Sequence, residues 1–153
     1  MSDGIRNRLA FRRLLAFLID YLIVLAYIAV LLGITLVVFS FFEASPSALD
    51  PLRGQVVGFV TLTLPVFLYF YSSENGPHRA TIGKRKMGLK VVRRKPGNVL
   101  LRNILKFLPW ELAHTGVHWV VYTASLNGET PPWVFVVLIA PQLMGIVYLA
   151  TIF

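Results

Sequence analysis

Long apolar runs separated by short polar segments dominate this chain and predict an all-helical membrane protein. Four runs reach the length of about 17 residues or more that a helix needs to cross a bilayer. We therefore predict a single domain over residues 1–153, with four membrane spans at about residues 14–42, 55–71, 108–124 and 133–153. Because Pro65 removes one backbone hydrogen bond, we expect the second span to be kinked there.

The segment between the second and third spans, residues 72–98, is the one extended polar stretch. Residues 89–93 alternate weakly between apolar and charged side chains, and a Lys-Pro-Gly-Asn turn follows at 95–98. This pattern predicts a short β-hairpin on the membrane surface. Residues 99–108 then mix leucine and isoleucine with polar side chains, as in an interfacial amphipathic helix.

Composition and charge support a membrane location. The chain is 56% hydrophobic and 14% charged, whereas about a quarter of a soluble domain is charged. Its net charge of +8 comes mainly from two blocks, residues 6–13 and 79–106, which hold fourteen of the 15 lysines and arginines. Basic blocks that flank apolar runs follow the positive-inside rule, so we expect both termini in the cytoplasm and the protein in the cell (inner) membrane. The same distribution argues against a nucleic-acid partner.

Several chemistries are not expected. Without cysteine, the chain has no disulfide, thiolate metal site or thiol nucleophile. Neither Ser72 nor Ser73 lies in a nucleophile elbow. We expect no enzyme activity and no cofactor.

Asp20 is an acidic residue inside the first apolar run, where a carboxylate is costly to bury. Arg13 precedes it by seven residues, so the two side chains share one helical face. Asp20 could bind and release a cation or a proton, with its proton affinity set by burial and by Arg13. The pair could instead be structural and fix the first helix against its neighbours.

A second polar cluster lies in the third span. Glu111, His114 and His118 share one helical face, which predicts that they point into the helix bundle or a watery cavity. They could form a proton relay, a metal site of the Glu-x-x-His type, or a structural polar seam. Glu111 also lies close enough in sequence to pair with Lys106 or Arg102.

Two sequence motifs resemble those of the RDD family of small integral membrane proteins. The first span begins with Arg13-x-x-Ala-x-x-Ile-Asp20, and the polar stretch contains Thr-x-Gly-Lys followed by Gly-Leu-x-Val. The second aspartate of the family pattern has no match here, because Asp50 lies in a different loop. The loop motif comprises Thr81, Gly83, Lys84, Arg85, Lys86 and Gly88.

The resemblance implies a role in transport, in some members cation/proton exchange. We therefore expect transport of a small cation coupled to protons, through Arg13, Asp20, Glu111, His114 and His118, in a homo-oligomer. The alternative is a non-transporting scaffold or accessory subunit, whose basic loop binds anionic lipid headgroups or a partner protein. The basic loop could also serve only to fix the orientation in the membrane.

Overall fold

A computed structural model describes residues 3–41, 50–92 and 98–150, and no strand occurs within these ranges. The chain is helical, as the apolar runs predict. Its elements are α1 (Asp3–Phe41), α2 (Pro51–Gly58), a π-helical segment (Phe59–Thr63), α3 (Leu64–Asn75), α4 (Ile82–Lys86), α5 (Asn98–Ser125) and α6 (Pro132–Ala150).

Two helical stretches are long and apolar enough to cross a bilayer. They are Asn7–Phe41 within α1, and Pro51–Asn75, which comprises α2, the π-helical segment and α3. The described part of α6, Pro132–Ile146, is apolar but shorter. Length and composition thus support two of the four predicted spans directly.

Helix α1 begins earlier than the predicted first span. It has 39 residues, about 58 Å at 1.5 Å per residue, which exceeds the thickness of a hydrocarbon core. The prediction followed hydropathy, whereas the basic residues before Leu14 remain helical because arginine and alanine favour helix.

The second span also extends beyond its predicted limits. Asp50 caps the start of α2, where its Oδ1 accepts a hydrogen bond of 3.1 Å from the Arg53 amide. The interruption expected at Pro65 takes the form of the π-helical segment that precedes it. Since the proline ring conflicts with the carbonyl four residues earlier, Thr61, a wider turn there relieves the contact.

The predicted hairpin is not found among the described residues of the polar stretch. Instead, the segment forms the short helix α4, and backbone amides that follow α4 donate hydrogen bonds to carbonyls within α4 and before it. The Leu89 amide donates to the Lys84 carbonyl and the Val91 amide to the Arg79 carbonyl, each at 2.8 Å. The remaining part of the predicted hairpin, residues 93–97, lies outside the described residues.

The predicted interfacial helix is not a separate element. Residues 99–108 and the predicted third span form the single helix α5, with Pro109 in its interior. The boundary expected at about residue 108 was therefore wrong, and Pro109 removes one hydrogen bond without ending the helix.

The chain divides into two compact units. One comprises Met1–Pro46, Leu68–Val99 and Ile152–Phe153, and the other Ser47–Phe67 and Leu100–Thr151. Each unit contains buried polar side chains, Asp20, Glu74 and Thr81 in the first and Thr63 and Asn103 in the second. Because a membrane protein has abundant apolar side chains, these buried polar groups are the informative positions.

Candidate functional site

Asp20 lies in the first unit and is almost fully buried, with 3% of its surface exposed. Three donors reach its carboxylate. Thr81 Oγ1 donates to Oδ2 at 2.5 Å, while the Gly83 amide and the Tyr69 hydroxyl donate to Oδ1, each at 2.9 Å. These four residues form the Asp20 cluster. Burial of a carboxylate is costly, and three direct hydrogen bonds offset that cost.

The local structure of the loop brings these donors together. Thr81 is the N-cap of α4, and its side chain accepts a hydrogen bond from the Lys84 amide at 3.4 Å. Gly83 lies so close to α1 that an added Cβ would be 2.1 Å from the Ala16 carbonyl oxygen. Only glycine fits at this approach, which lets the amide of residue 83 reach Asp20.

A part-buried ion pair reinforces the same region. Lys84 Nζ pairs with Glu74 Oε1, and Glu74 is completely buried near the end of α3. The cation replaces part of the hydration that the Glu74 carboxylate loses on burial. Lys84, whose side chain is 26% exposed, thus lies at the edge of the interior with its ammonium group on Glu74.

The two basic blocks of the sequence also meet within this unit. Arg12 Nε donates to the Met87 carbonyl at 2.8 Å, and Arg12 Nη2 donates to the same oxygen. Gly88, which follows, has a φ of 64°, a conformation that favours glycine. A Cβ there would also lie 2.6 Å from Arg12 Nη2.

The structure does not bring Arg13 to Asp20. The two share a helical face, but seven residues correspond to about 10.5 Å along the axis, too far for an ion pair. Among the described residues, Asp20 forms no ion pair with Arg13, whose side chain is exposed.

The loop motif divides into inward and outward residues. Thr81, Gly83 and Lys84 face the interior, where they contact Asp20 and Glu74. Arg85 and Lys86 are exposed. The motif thus combines residues that hold α4 against the interior with the exposed cations Arg85 and Lys86.

Glu111 lies in the second unit, in a different polar cluster. Gln55 Nε2 donates to Glu111 Oε2 at 2.6 Å, and Thr63 Oγ1 donates to Oε1. Thr115 Oγ1 contacts both the Gln55 Oε1, at 3.2 Å, and the Glu111 carbonyl, at 3.1 Å. We call these four residues the Glu111 cluster. In the part of the chain that the structure describes, Glu111 forms no ion pair, neither with Lys106 nor with any other cation.

The two histidines of α5 have different surroundings. His114 Nδ1 lies 3.0 Å from the Trp110 carbonyl, so this nitrogen carries the proton. The His118 ring packs against two glycines, Gly54 and Gly58. A Cβ added at Gly54 would lie 2.7 Å from His118 Nδ1, and one added at Gly58 would lie 3.2 Å from His118 Nε2. His118 Nε2 is buried, and no described residue forms a hydrogen bond with it. The ring centroids of the two histidines are 6.4 Å apart.

The metal alternative gains no support from this geometry. Within the described ranges, no three histidine, aspartate or glutamate side chains are grouped so that they could hold a metal ion.

The sequence analysis missed the residues that partner the two carboxylates. Neither Tyr69 nor Glu74 was predicted as a site residue, although an acid near the end of an apolar helix is itself a signal. Gln55 and Thr63 are eight residues apart, which places them on one face of an apolar helix. That spacing could have identified them as facing another polar group.

The chain matches a known protein family. The model of the RDD family matches residues 8–153. Neither the curated proteins nor the solved structures give a match.

Proposed function

The chain belongs to the RDD family, and on this premise we propose that it exchanges a small cation for protons across a membrane, with Glu111 as the exchanging carboxylate. Family membership and the two long apolar helices indicate a membrane protein. Transport, topology and the role of each residue are our proposal.

The proposed topology has four spans and both termini in the cytoplasm. Residues 21–41 contain no charged side chain and would extend about 31 Å as a helix, which matches a hydrocarbon core. Asp20 would then lie at the cytoplasmic boundary. The contact between Arg12 and Met87 supports a common side for the two basic blocks.

Exposed apolar side chains support a lipid environment for the last two helices as well. They recur at helical spacing in α5 and in α6, so that each helix presents an apolar stripe. The exposed residues are Leu101, Ile104, Leu105, Leu108 and Leu112 in α5, and Phe135, Val136, Ile139, Leu143 and Ile146 in α6.

The observation that carries the transport proposal is the neutral surroundings of Glu111. Its side-chain donors, Gln55 and Thr63, carry no charge, and no described cation forms an ion pair with it. A carboxylate in apolar surroundings must gain either a proton or a cation to avoid a large desolvation cost. A carboxylate that binds a proton and a cation in turn can exchange one for the other. His118, on the same helical face, supplies a buried nitrogen that can relay the proton, with His114 next to it.

Asp20 has a different part in this proposal. Because three donors already bind its carboxylate, we assign it to anchoring rather than to ion binding. Arg13 is then part of the basic cytoplasmic surface. We also propose a homo-oligomer, since four spans offer few helices to enclose a pathway, and light scattering in detergent would measure its size.

Reconstituted vesicles with an internal pH dye test the exchange. An imposed gradient of Na⁺, K⁺ or Li⁺ should drive proton flux through the unmodified protein. Glu111→Gln should lower that flux at least about tenfold, because a neutral amide cannot exchange a proton for a cation. Glu129→Gln is the matched control, since Glu129 is exposed in the loop before α6 and should leave the flux unchanged.

The alternative is a scaffold or accessory subunit that does not transport. The Asp20 cluster favours it, since this cluster fixes a basic surface segment on α1. If the unmodified protein gives no proton flux with any of the three cations, the exchange proposal is rejected and the scaffold is favoured. Equal flux in Glu111→Gln and in the unmodified protein would reject Glu111 as the exchange site.

A further inference from the structure

A pocket of about 270 Å³ opens between the end of α3 and α4, within the first unit. Its lining includes a cation, a histidine, two hydroxyls and an exposed isoleucine, namely Arg85, His78, Ser72, Ser73 and Ile82. The volume is close to the lower limit of ordinary ligand sites, so the pocket suits a small group rather than a large organic molecule.

The charge of this pocket is unbalanced. Lys84 is neutralised by Glu74, but the Arg85 guanidinium forms no hydrogen bond or ion pair with any described residue. The two buried carboxylates of this unit, Asp20 and Glu74, are not part of the lining. An exposed guanidinium of this kind has a fork of donors that matches the oxygens of a phosphate group.

The hydroxyls of the pocket are not equivalent. Ser72 Oγ donates its proton to the Leu68 carbonyl at 2.6 Å, so it can only accept a further hydrogen bond. Ser73 Oγ has no hydrogen-bond partner among residues 3–41, 50–92 and 98–150 and can donate to an anion. Ser73 and Arg85 therefore provide two donors to the pocket, one from α3 and one from α4.

The backbone next to the pocket is strained. Arg79 has a φ of 49°, a left-handed conformation that a residue with a side chain rarely adopts. Two hydrogen bonds hold it, from the Arg79 amide to the Gly76 carbonyl at 3.2 Å and from the Val91 amide to the Arg79 carbonyl at 2.8 Å. Such strain is concentrated at ligand-binding and switch regions.

We propose that this pocket binds the phosphate group of an anionic phospholipid. Arg85 pairs with the phosphate oxygens, Ser73 donates a hydrogen bond, and Ile82, which is 40% exposed, contacts the apolar part of the lipid next to the headgroup. A lipid is favoured over a soluble phosphate because α3, part of an apolar helix long enough to cross a bilayer, ends beside the pocket at Asn75. This inference depends on the membrane placement but not on cation exchange.

Binding of a short-chain phosphatidylglycerol to the full chain in neutral detergent micelles, followed by phosphorus NMR, tests the proposal. Arg85→Gln should weaken binding about tenfold or more, because a charge-assisted hydrogen bond is lost. Lys86→Gln is the matched control on the same short helix, outside the pocket, and should change binding less than about twofold. Ser73→Ala, which removes only a hydroxyl, should weaken binding several-fold and serves as the second variant if Arg85→Gln does not fold.

Each other outcome rejects part of the proposal. Equal losses in Arg85→Gln and Lys86→Gln would mean that surface charge alone attracts the lipid and that the pocket is not a site. Inorganic phosphate that binds as tightly as the lipid would identify a soluble phosphate compound as the ligand. Equal binding of short-chain phosphatidylcholine, or no binding of either lipid, would also reject an anionic-lipid site.

Discussion

Replacing Gly83 with alanine should detach α4 from α1. The added Cβ would lie 2.1 Å from the Ala16 carbonyl oxygen, 1.3 Å less than the 3.4 Å of ordinary contact, so the two backbones must separate. A shift of that size stretches the hydrogen bond from the Gly83 amide to Asp20 from 2.9 Å beyond hydrogen-bonding distance, and the bond from Thr81 with it.

The cost of this substitution follows from the two lost bonds. A hydrogen bond to a charged group contributes about 1.5–3 kcal/mol, so two contribute about 3–6 kcal/mol. Alanine favours helix by up to about 1 kcal/mol over glycine. Gly83→Ala should therefore lower the free energy of local opening at residues 79–92 by about 2–5 kcal/mol.

Hydrogen–deuterium exchange of the peptide covering residues 79–92 measures this local opening. Since each 1.4 kcal/mol corresponds to a factor of ten, exchange should become at least about thirtyfold faster. Gly33→Ala is the control, because no atom lies within 4 Å of a Cβ at Gly33. If Gly83→Ala exchanges as slowly as Gly33→Ala over residues 79–92, the close approach to α1 does not hold α4, and the reasoning is refuted.

Two further substitutions examine the same region by the same exchange measurement. Lys84→Met removes the cation from buried Glu74 and should destabilise the unit by about 3–5 kcal/mol. The control Lys86→Met changes an exposed side chain and should alter the stability by less than about 0.5 kcal/mol. Equal effects of the two substitutions would contradict a stabilising ion pair between Lys84 and Glu74. Thr81→Val removes the hydroxyl that caps α4 and binds Asp20, and should lower the stability of the unit by about 1–3 kcal/mol. Thr81→Ser keeps the hydroxyl and should lower the stability clearly less. Equal costs for valine and serine would show that the hydroxyl is not what stabilises the segment.

The helical nature of this chain could be predicted from its apolar runs, but the ends of the helices could not. Hydropathy marks where a chain enters lipid, while hydrogen bonding and helix propensity determine where a helix stops. Helix α1 therefore begins at Asp3 although the apolar run begins near Leu14. For the same reason α5 continues through Pro109.

The partners of the two carboxylates could be predicted only in part. Spacing along one helix suggested Arg13 for Asp20, but a shared face does not bring groups seven residues apart into contact. The donors that bind Asp20 lie 49 to 63 positions further along the chain. The Thr81–Gly83 motif was visible in the sequence, yet nothing in a single sequence indicates that it packs against Asp20.

Glu111 shows the same limit. Lys106 and Arg102 were two of the candidate partners, because they are close in sequence and opposite in charge. The structure instead places the neutral groups Gln55 and Thr63 against the carboxylate. Contacts between helices depend on packing, which local spacing does not encode.

The long sequence separation within the Asp20 cluster has a consequence for synthesis. Gly83 follows Asp20 by 63 residues, so at about 5–20 residues per second the ribosome adds it about 3–13 s later. Tyr69 is the first of the three donors along the chain and follows Asp20 by 49 residues, so until Tyr69 is made the carboxylate has none of its donors. In the proposed membrane placement, Asp20 is therefore hydrated at the bilayer surface or carries a proton until its donors in α3 and the α4 segment have been made.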